Sequence, residues 1–113
     1  MREDNPKKRL IDEVLIKQKG YLDPQLTAAQ LAQAMGMSPS QLSRMLKAEY
    51  GMSYSDLVHT CRVHDAMRHL KTKRFAPYSI DDIGRMVGFG NRQSFFHAFK
   101  KVTGITPERF RRS

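Results

Sequence analysis

Apolar residues recur along the chain at intervals of three and four, and the two-residue alternation of a half-buried strand is missing. The pattern predicts seven helices. The first runs from about Pro6 to Lys19, with Leu10, Ile11, Val14 and Leu15 on one face and Gly20 as its stop. The second opens on the capping pattern Thr27-x-x-Gln30 and ends at Gly36. The third opens at Ser38-Pro39, with Gln41 at its third position, and stops at Gly51. The fourth, the longest, covers about Tyr54 to Lys71, with Leu57, Val58, Cys61, Met67 and Leu70 as its apolar set. A polar, basic link, TKRFAPYS, follows. The fifth helix starts at Ser79, buries Ile80, Ile83 and Val87 and ends at Gly88. The sixth spans about Arg92 to Thr103 with Phe95, Phe99 and Val102 inward, and the seventh runs from Pro107 to about Arg112.

Part of this pattern occurs twice. Shifted back by 52 residues, Ile83, Gly88 and Phe89 fall on Leu31, Gly36 and Met37; shifted by 53, Phe95, Phe99, Lys100, Gly104 and Ile105 fall on Leu42, Leu46, Lys47, Gly51 and Met52. The second copy therefore has one extra loop residue. Each copy is a short helix, a glycine-containing turn and a second helix, the arrangement of a helix-turn-helix. Such a unit needs a small residue where its helices cross and a flexible one in the turn, which Ala32 and Gly84, then Gly36 and Gly88, supply. Met37 and Phe89 are expected to anchor each turn to the core.

The faces left over by the apolar stripes carry a specific mixture. On the third helix the stripe Leu42, Met45, Leu46 and Tyr50 leaves Ser40, Arg44 and Lys47 near the opposite face, flanked by Gln41 and Ser43. On the sixth, Gln93, His97, Lys100 and Lys101 point outward with Ser94 beside them, so that Gln93 and His97 take the places of Ser40 and Arg44. Arg forks to guanine, Gln to adenine, Ser and His donate or accept at base edges, and Lys neutralises phosphate. Polar residues cover most exposed helices, but two matching faces on two matching motifs point to nucleic acid.

Charge strengthens that reading. Lys and Arg number 20 against 11 Asp and Glu, a net charge of +9 over 113 residues, which makes polyanions the default partners. No apolar run approaches the roughly 20 residues that cross a bilayer. The start, MREDNPKKRL, lacks the apolar core of a signal peptide, so a cytoplasmic location without membrane contact is expected. Cys61 is the single cysteine, which leaves no internal disulfide and no Cys-based zinc site. His59, His64 and His69 step by five along one helix, about 140° apart at each step, and do not converge on one metal. No cofactor and no metal are expected.

Other function classes find less support. No Ser-His-Asp order, paired-carboxylate motif or P-loop is present, so the chain reads as a non-enzyme. A nonspecific nucleic-acid or RNA-binding module is the alternative, but RNA binders present aromatic stacking surfaces or RRM or KH signatures. Here most aromatics sit at core spacing, leaving Phe96, Phe75 and Tyr78 as the exposed candidates. A purely structural interaction domain fits the basic charge least.

From about residue 8 to 112 the chain resembles the DNA-binding domain of the AraC/XylS family of bacterial transcription regulators. SIDDIGRMVGFGNRQSFFHAFKKVTGITPERFR is similar to the family signature, with its G-F turn, F-x-x-x-F-K-K core and G-x-T-P-x-x-[YF]-R ending. LTAAQLAQAMGMSPSQLSRMLKAEYGMSYSDLVHTCRVHDAMRHL fits its looser first half. The resemblance implies an all-α fold of seven helices, with one helix-turn-helix at 27–51, a connector helix at 54–71 and a second helix-turn-helix at 79–103. It implies sequence-specific binding to double-stranded promoter or operator DNA, with Ser40, Gln41, Ser43, Arg44, Arg92, Gln93, Ser94 and His97 as base readers and Lys47, Lys100 and Lys101 on phosphates. Each polypeptide would read two adjacent major-groove segments. Arg62, Ala66 and Leu70, spaced R-x-x-x-A-x-x-x-L, are similar to the family's connector-helix pattern, with Arg62 in a packing or ion-pair role. Gly84 stands where Ala is usual, an expected cost of about 0.5 to 1 kcal/mol in helix stability. His97 stands where Arg often serves. RNA polymerase is an implied partner, as is an attached sensor or dimerisation domain outside these residues. The lead-in KQKGYLDPQLTAAQLA favours the C-terminal piece of a longer regulator over a free-standing one.

Overall fold

The computed structural model describes residues 5–113 and contains α1 (Pro6–Ile11), α2 (Ala28–Ala34), α3 (Pro39–Tyr50), α4 (Tyr54–Lys71), α5 (Ile80–Met86), α6 (Arg92–Thr103) and α7 (Pro107–Arg112). No strand occurs among the described residues. The first four residues of the stretch read for a signal peptide lie outside them. The chain forms two compact units, one ending at Leu57 and the other starting at Val58, so the division falls inside α4.

In the first unit, the Asn5 side-chain oxygen accepts from the Lys7 and Lys8 N–H groups, and Pro6 fills a first-turn position that needs no donor. The helix does not continue evenly to Lys19 as its periodicity predicts. Over Asp12–Lys17 it widens into a π-helix, with the Gln18 N–H donating to the Glu13 carbonyl at 2.8 Å. Ile11 and Leu15 are both fully buried, whereas Leu10 and Val14, expected on the same face, stand 47% and 39% exposed. The left-handed residue at the exit is Lys19, with φ 59°, and not the expected stop Gly20. Glycine serves another need there. A Cβ on Gly20 would stand 2.8 Å from the Val14 carbonyl oxygen, so only glycine lets the 3-10 turn Gly20–Leu22 pass so close to the helix.

Capping boxes start α2 and α3: Thr27 with Gln30 and Ser38 with Gln41. Between them Gly36 takes φ 67° and the Met37 N–H bonds back to the Ala32 carbonyl at 2.9 Å. Met37, expected as an anchor, is half-buried, as are Met45 and Tyr50 at the edges of the α3 stripe. Leu31, Ala32, Leu42 and Leu46 carry the burial of the two helices, and Tyr21 joins the buried set. The Tyr50 hydroxyl donates to Asp12 Oδ1 at 2.5 Å, tying the end of α3 to the first helix.

The second unit repeats the plan with different contents. Ser79 forms a capping box with Asp82, Gly88 takes φ 107°, and the Phe89 N–H bonds to the Gly84 carbonyl at 3.0 Å. Asn91 caps α6 and Thr106 caps α7. The additional residue lies after the turn: Met37 alone separates Gly36 from its cap, whereas Phe89 and Gly90 separate Gly88 from Asn91. The Phe95 ring touches Phe89 at 5.2 Å and Phe99 edge-on at 5.8 Å, and Phe99 meets Phe110 at 5.6 Å.

Two apolar stripes differ from expectation. On α4, Val63 and Ala66 are fully buried, while Cys61 and Met67 are half-buried. The buried face also holds Arg62 and Asp65, which a polarity pattern assigns to solvent. Arg62 lies over the Phe89 ring at 5.6 Å, and Asp65 accepts from Arg68 at 3.0 Å. These contacts make burial of the charges tolerable. On α6 the stripe continues from Phe95 through Ala98 and Phe99 toward Thr103, whose hydroxyl donates to the Phe99 carbonyl, and Val102 stands 37% exposed.

Candidate nucleic-acid interface

Each recognition-helix candidate, α3 and α6, is twelve residues long, capped at its start, and held by a buried side and a left-handed glycine at its end. The opposite side is exposed in both. On α3 this places Ser40, Gln41, Ser43, Arg44 and Lys47 in solvent; on α6 it places Arg92, Gln93, Ser94, His97, Lys100 and Lys101 there. All the side chains singled out from sequence are therefore accessible, within their own units.

They are not equally available. The Gln41 Oε1 accepts from the Ser38 N–H at 2.9 Å, which leaves its amide donors outward but commits its acceptor to the cap. Ser94, at the matching place on α6, has its backbone N–H capped by Asn91 at 2.8 Å and plays no reciprocal part. Arg92 is half-exposed, but its guanidinium donates to Asp81 at 2.6 Å and to Glu108 at 3.4 Å and lies 4.1 Å over the Phe96 ring. Phe96 itself packs edge-on against Phe95 at 5.8 Å. Of the other aromatics considered for stacking, Phe75 is stacked on His69 at 4.1 Å and Tyr78 is 43% exposed.

One further residue joins the second unit's surface. His59, from α4, lines a shallow depression with Gln93, Ser94 and His97 and contacts the Phe89 ring at 5.6 Å. Its place in the connector helix gave no sign of this. Burial pushes the Cys61 thiol up from its ordinary value, which opposes thiolate chemistry. Among the described residues no group of three or more His, Cys, Asp or Glu is placed to hold a metal, and no helix is long and apolar enough to cross a membrane.

A family model described as a helix-turn-helix domain matches residues 31–113. YesN of Bacillus subtilis, an uncharacterized transcriptional regulatory protein, is 38% identical over 77 residues, which cover 67% of this chain and 20% of YesN. The arabinose operon regulatory protein of Salmonella typhimurium is 35% identical over 89 residues, 79% of this chain and 31% of that protein. The C-terminal domain of AraT, a response regulator from Geobacillus stearothermophilus, has a solved structure that matches with a TM-score of 0.83 at 32% identity, covering 96% of this chain and 85% of that one. The chain thus spans a fifth to a third of the length of these two curated relatives. With two equivalent helix-turn-helix units and a match over most of its length, the chain belongs to the AraC/XylS family of transcription regulators.

Proposed function

We propose that this chain binds double-stranded promoter or operator DNA in a sequence-specific way, laying α3 and α6 in two adjacent segments of the major groove. The observation that carries the reading is the matched pair of exposed helix faces, each mixing base-edge donors and acceptors with lysine on a strongly basic chain. Ser40, Ser43, Arg44 and the outward amide of Gln41 read one segment; Gln93, Ser94 and His97 read the other. Lys47, Lys100 and Lys101 neutralise phosphates. The work is binding in the cytoplasm, without catalysis, and its partners are DNA, RNA polymerase and an attached sensor or dimerisation domain.

Because one polypeptide carries two different reading helices, its site is asymmetric and needs no second chain. Selection from random duplexes followed by footprinting of a monomeric preparation tests this. Two protected segments about one helical turn, roughly 34 Å, apart are expected. A palindrome occupied by two chains, or equal affinity for single-stranded RNA at matched salt, would overturn it.

A further inference from the structure

Arg92 occupies the first position of α6, where a cation opposes the helix dipole, so its presence there calls for a reason other than helix stability. It bridges Asp81, in the first turn of α5, and Glu108, in the first turn of α7, with Phe96 beneath. The internal repeat shows that a helix-turn-helix does without this set. Shifted by 52 for Asp81 and by 53 for the others, the four residues fall on Ala29, Pro39, Ser43 and Ser55, none of them charged. The second unit thus carries two carboxylates beside its proposed DNA-facing helix that the first unit lacks. A guanidinium forks to guanine with two N–H groups on one edge, and here each terminal nitrogen commits one of its N–H groups to a carboxylate, which holds the fork toward Asp81 and Glu108.

We infer that Arg92 is a positioning residue and charge screen, not a base reader: it shields Asp81 and Glu108 from the DNA phosphates and fixes the start of α6 against the helices on either side of it. This inference rests on α6 docking on DNA. Without Arg92 two uncompensated carboxylates would face a polyanion, which weakens every sequence alike.

Random-duplex selection and affinity measurements on the parent, Arg92→Ala, Asp81→Asn/Glu108→Gln and the triple variant test it. Arg92→Ala is expected to lose about tenfold in affinity at physiological salt for all sequences, with the base preferences unchanged. Adding the two neutral substitutions should return affinity to within about threefold of the parent. The double variant with Arg92 in place keeps the same preferences and binds at least as tightly. A base preference altered by Arg92→Ala and still altered in the triple variant would overturn the screening role and make Arg92 a reader. So would a loss that neutralisation leaves unrecovered. If the parent itself enriches no duplex sequence, the DNA reading fails and this inference falls with it, an outcome distinct from either of the others.

Discussion

A Cβ on Gly84 would stand 2.6 Å from Cδ2 of the Phe95 ring and 2.9 Å from its Cγ, so the missing methyl and the large ring fit one another. In the first unit the corresponding pair is Ala32 and Leu42, both buried, with one methyl more and a smaller side chain opposite. Glycine in a helix costs about 0.5 to 1 kcal/mol relative to alanine. The sequence calls for a small residue at this helix crossing, and the Phe95 ring is what leaves no room even for a methyl. Gly84→Ala should therefore destabilise by about 1 to 2 kcal/mol despite the better propensity, because overpacking a fixed core outweighs it. Adding Phe95→Leu should recover part of that loss. Denaturant midpoints of the two single variants and the double variant measure the coupling; additive effects would refute it.

The proposed reading of DNA by α3 gives Gln41 a second duty beside its capping role. Gln41→Ala removes an arm of the capping box and should lower stability by about 0.5 to 1 kcal/mol. Gln41→Glu keeps an acceptor for the Ser38 N–H and removes the outward donors. It should retain the parent's thermal midpoint while changing base preference in the segment read by α3. Loss of stability in the Glu variant would contradict this division.

Arg44 and Lys47 lie one turn apart on the exposed side of α3. Arg44→Ala is expected to relax the preference at one position of the site, by about 1 to 3 kcal/mol of discrimination if it forks to guanine. Lys47→Ala should weaken all sequences similarly and make the salt dependence shallower by about one counterion. Superimposable selection profiles for Arg44→Ala and the parent would make Arg44 a phosphate contact or a surface residue, not a reader.

Acid should act on the first unit through Asp12. Burial pulls its carboxyl upward, but the hydrogen bonds from Tyr50 and Lys8 and the charges of Lys8 and Lys17 outweigh burial and hold it below the ordinary carboxylate value. A carboxylate depressed on folding contributes stability that is fully present above its unfolded value, near pH 4, and is lost as pH falls through the folded one. Asp12→Asn should be less stable than the parent at neutral pH and lose less on acidification below about pH 4. Parallel pH profiles of the urea midpoint would rule out this role.

What sequence made visible was what the chain decides locally. Ser38, Ser79 and Thr106 announce their helices because a cap and its donor lie within three residues, and α3, α5 and α7 begin directly after those caps. The outward faces of α3 and α6 follow from periodicity in the same way. The partners of Arg92 lie 11 and 16 positions away and carry no periodic signal. Periodicity likewise gives no sign of the buried charges on α4, because Arg62 and Asp65 are polar by type, Arg62 lying over the distant Phe89 ring and Asp65 pairing with Arg68. The widened turn over Asp12–Lys17 conserves the spacing of Ile11 and Leu15, so an even helix and a bulged one look alike on paper.

The left-handed Lys19 offers a separate control over robustness. A side chain in that conformation costs about 1 to 2 kcal/mol, which asparagine largely avoids. The residue sits at the exit of the widened helix, far along the sequence from the proposed readers on α3 and α6. Lys19→Asn is thus a way to raise the melting temperature without retuning which DNA is chosen, leaving heat tolerance and recognition as independently adjustable traits.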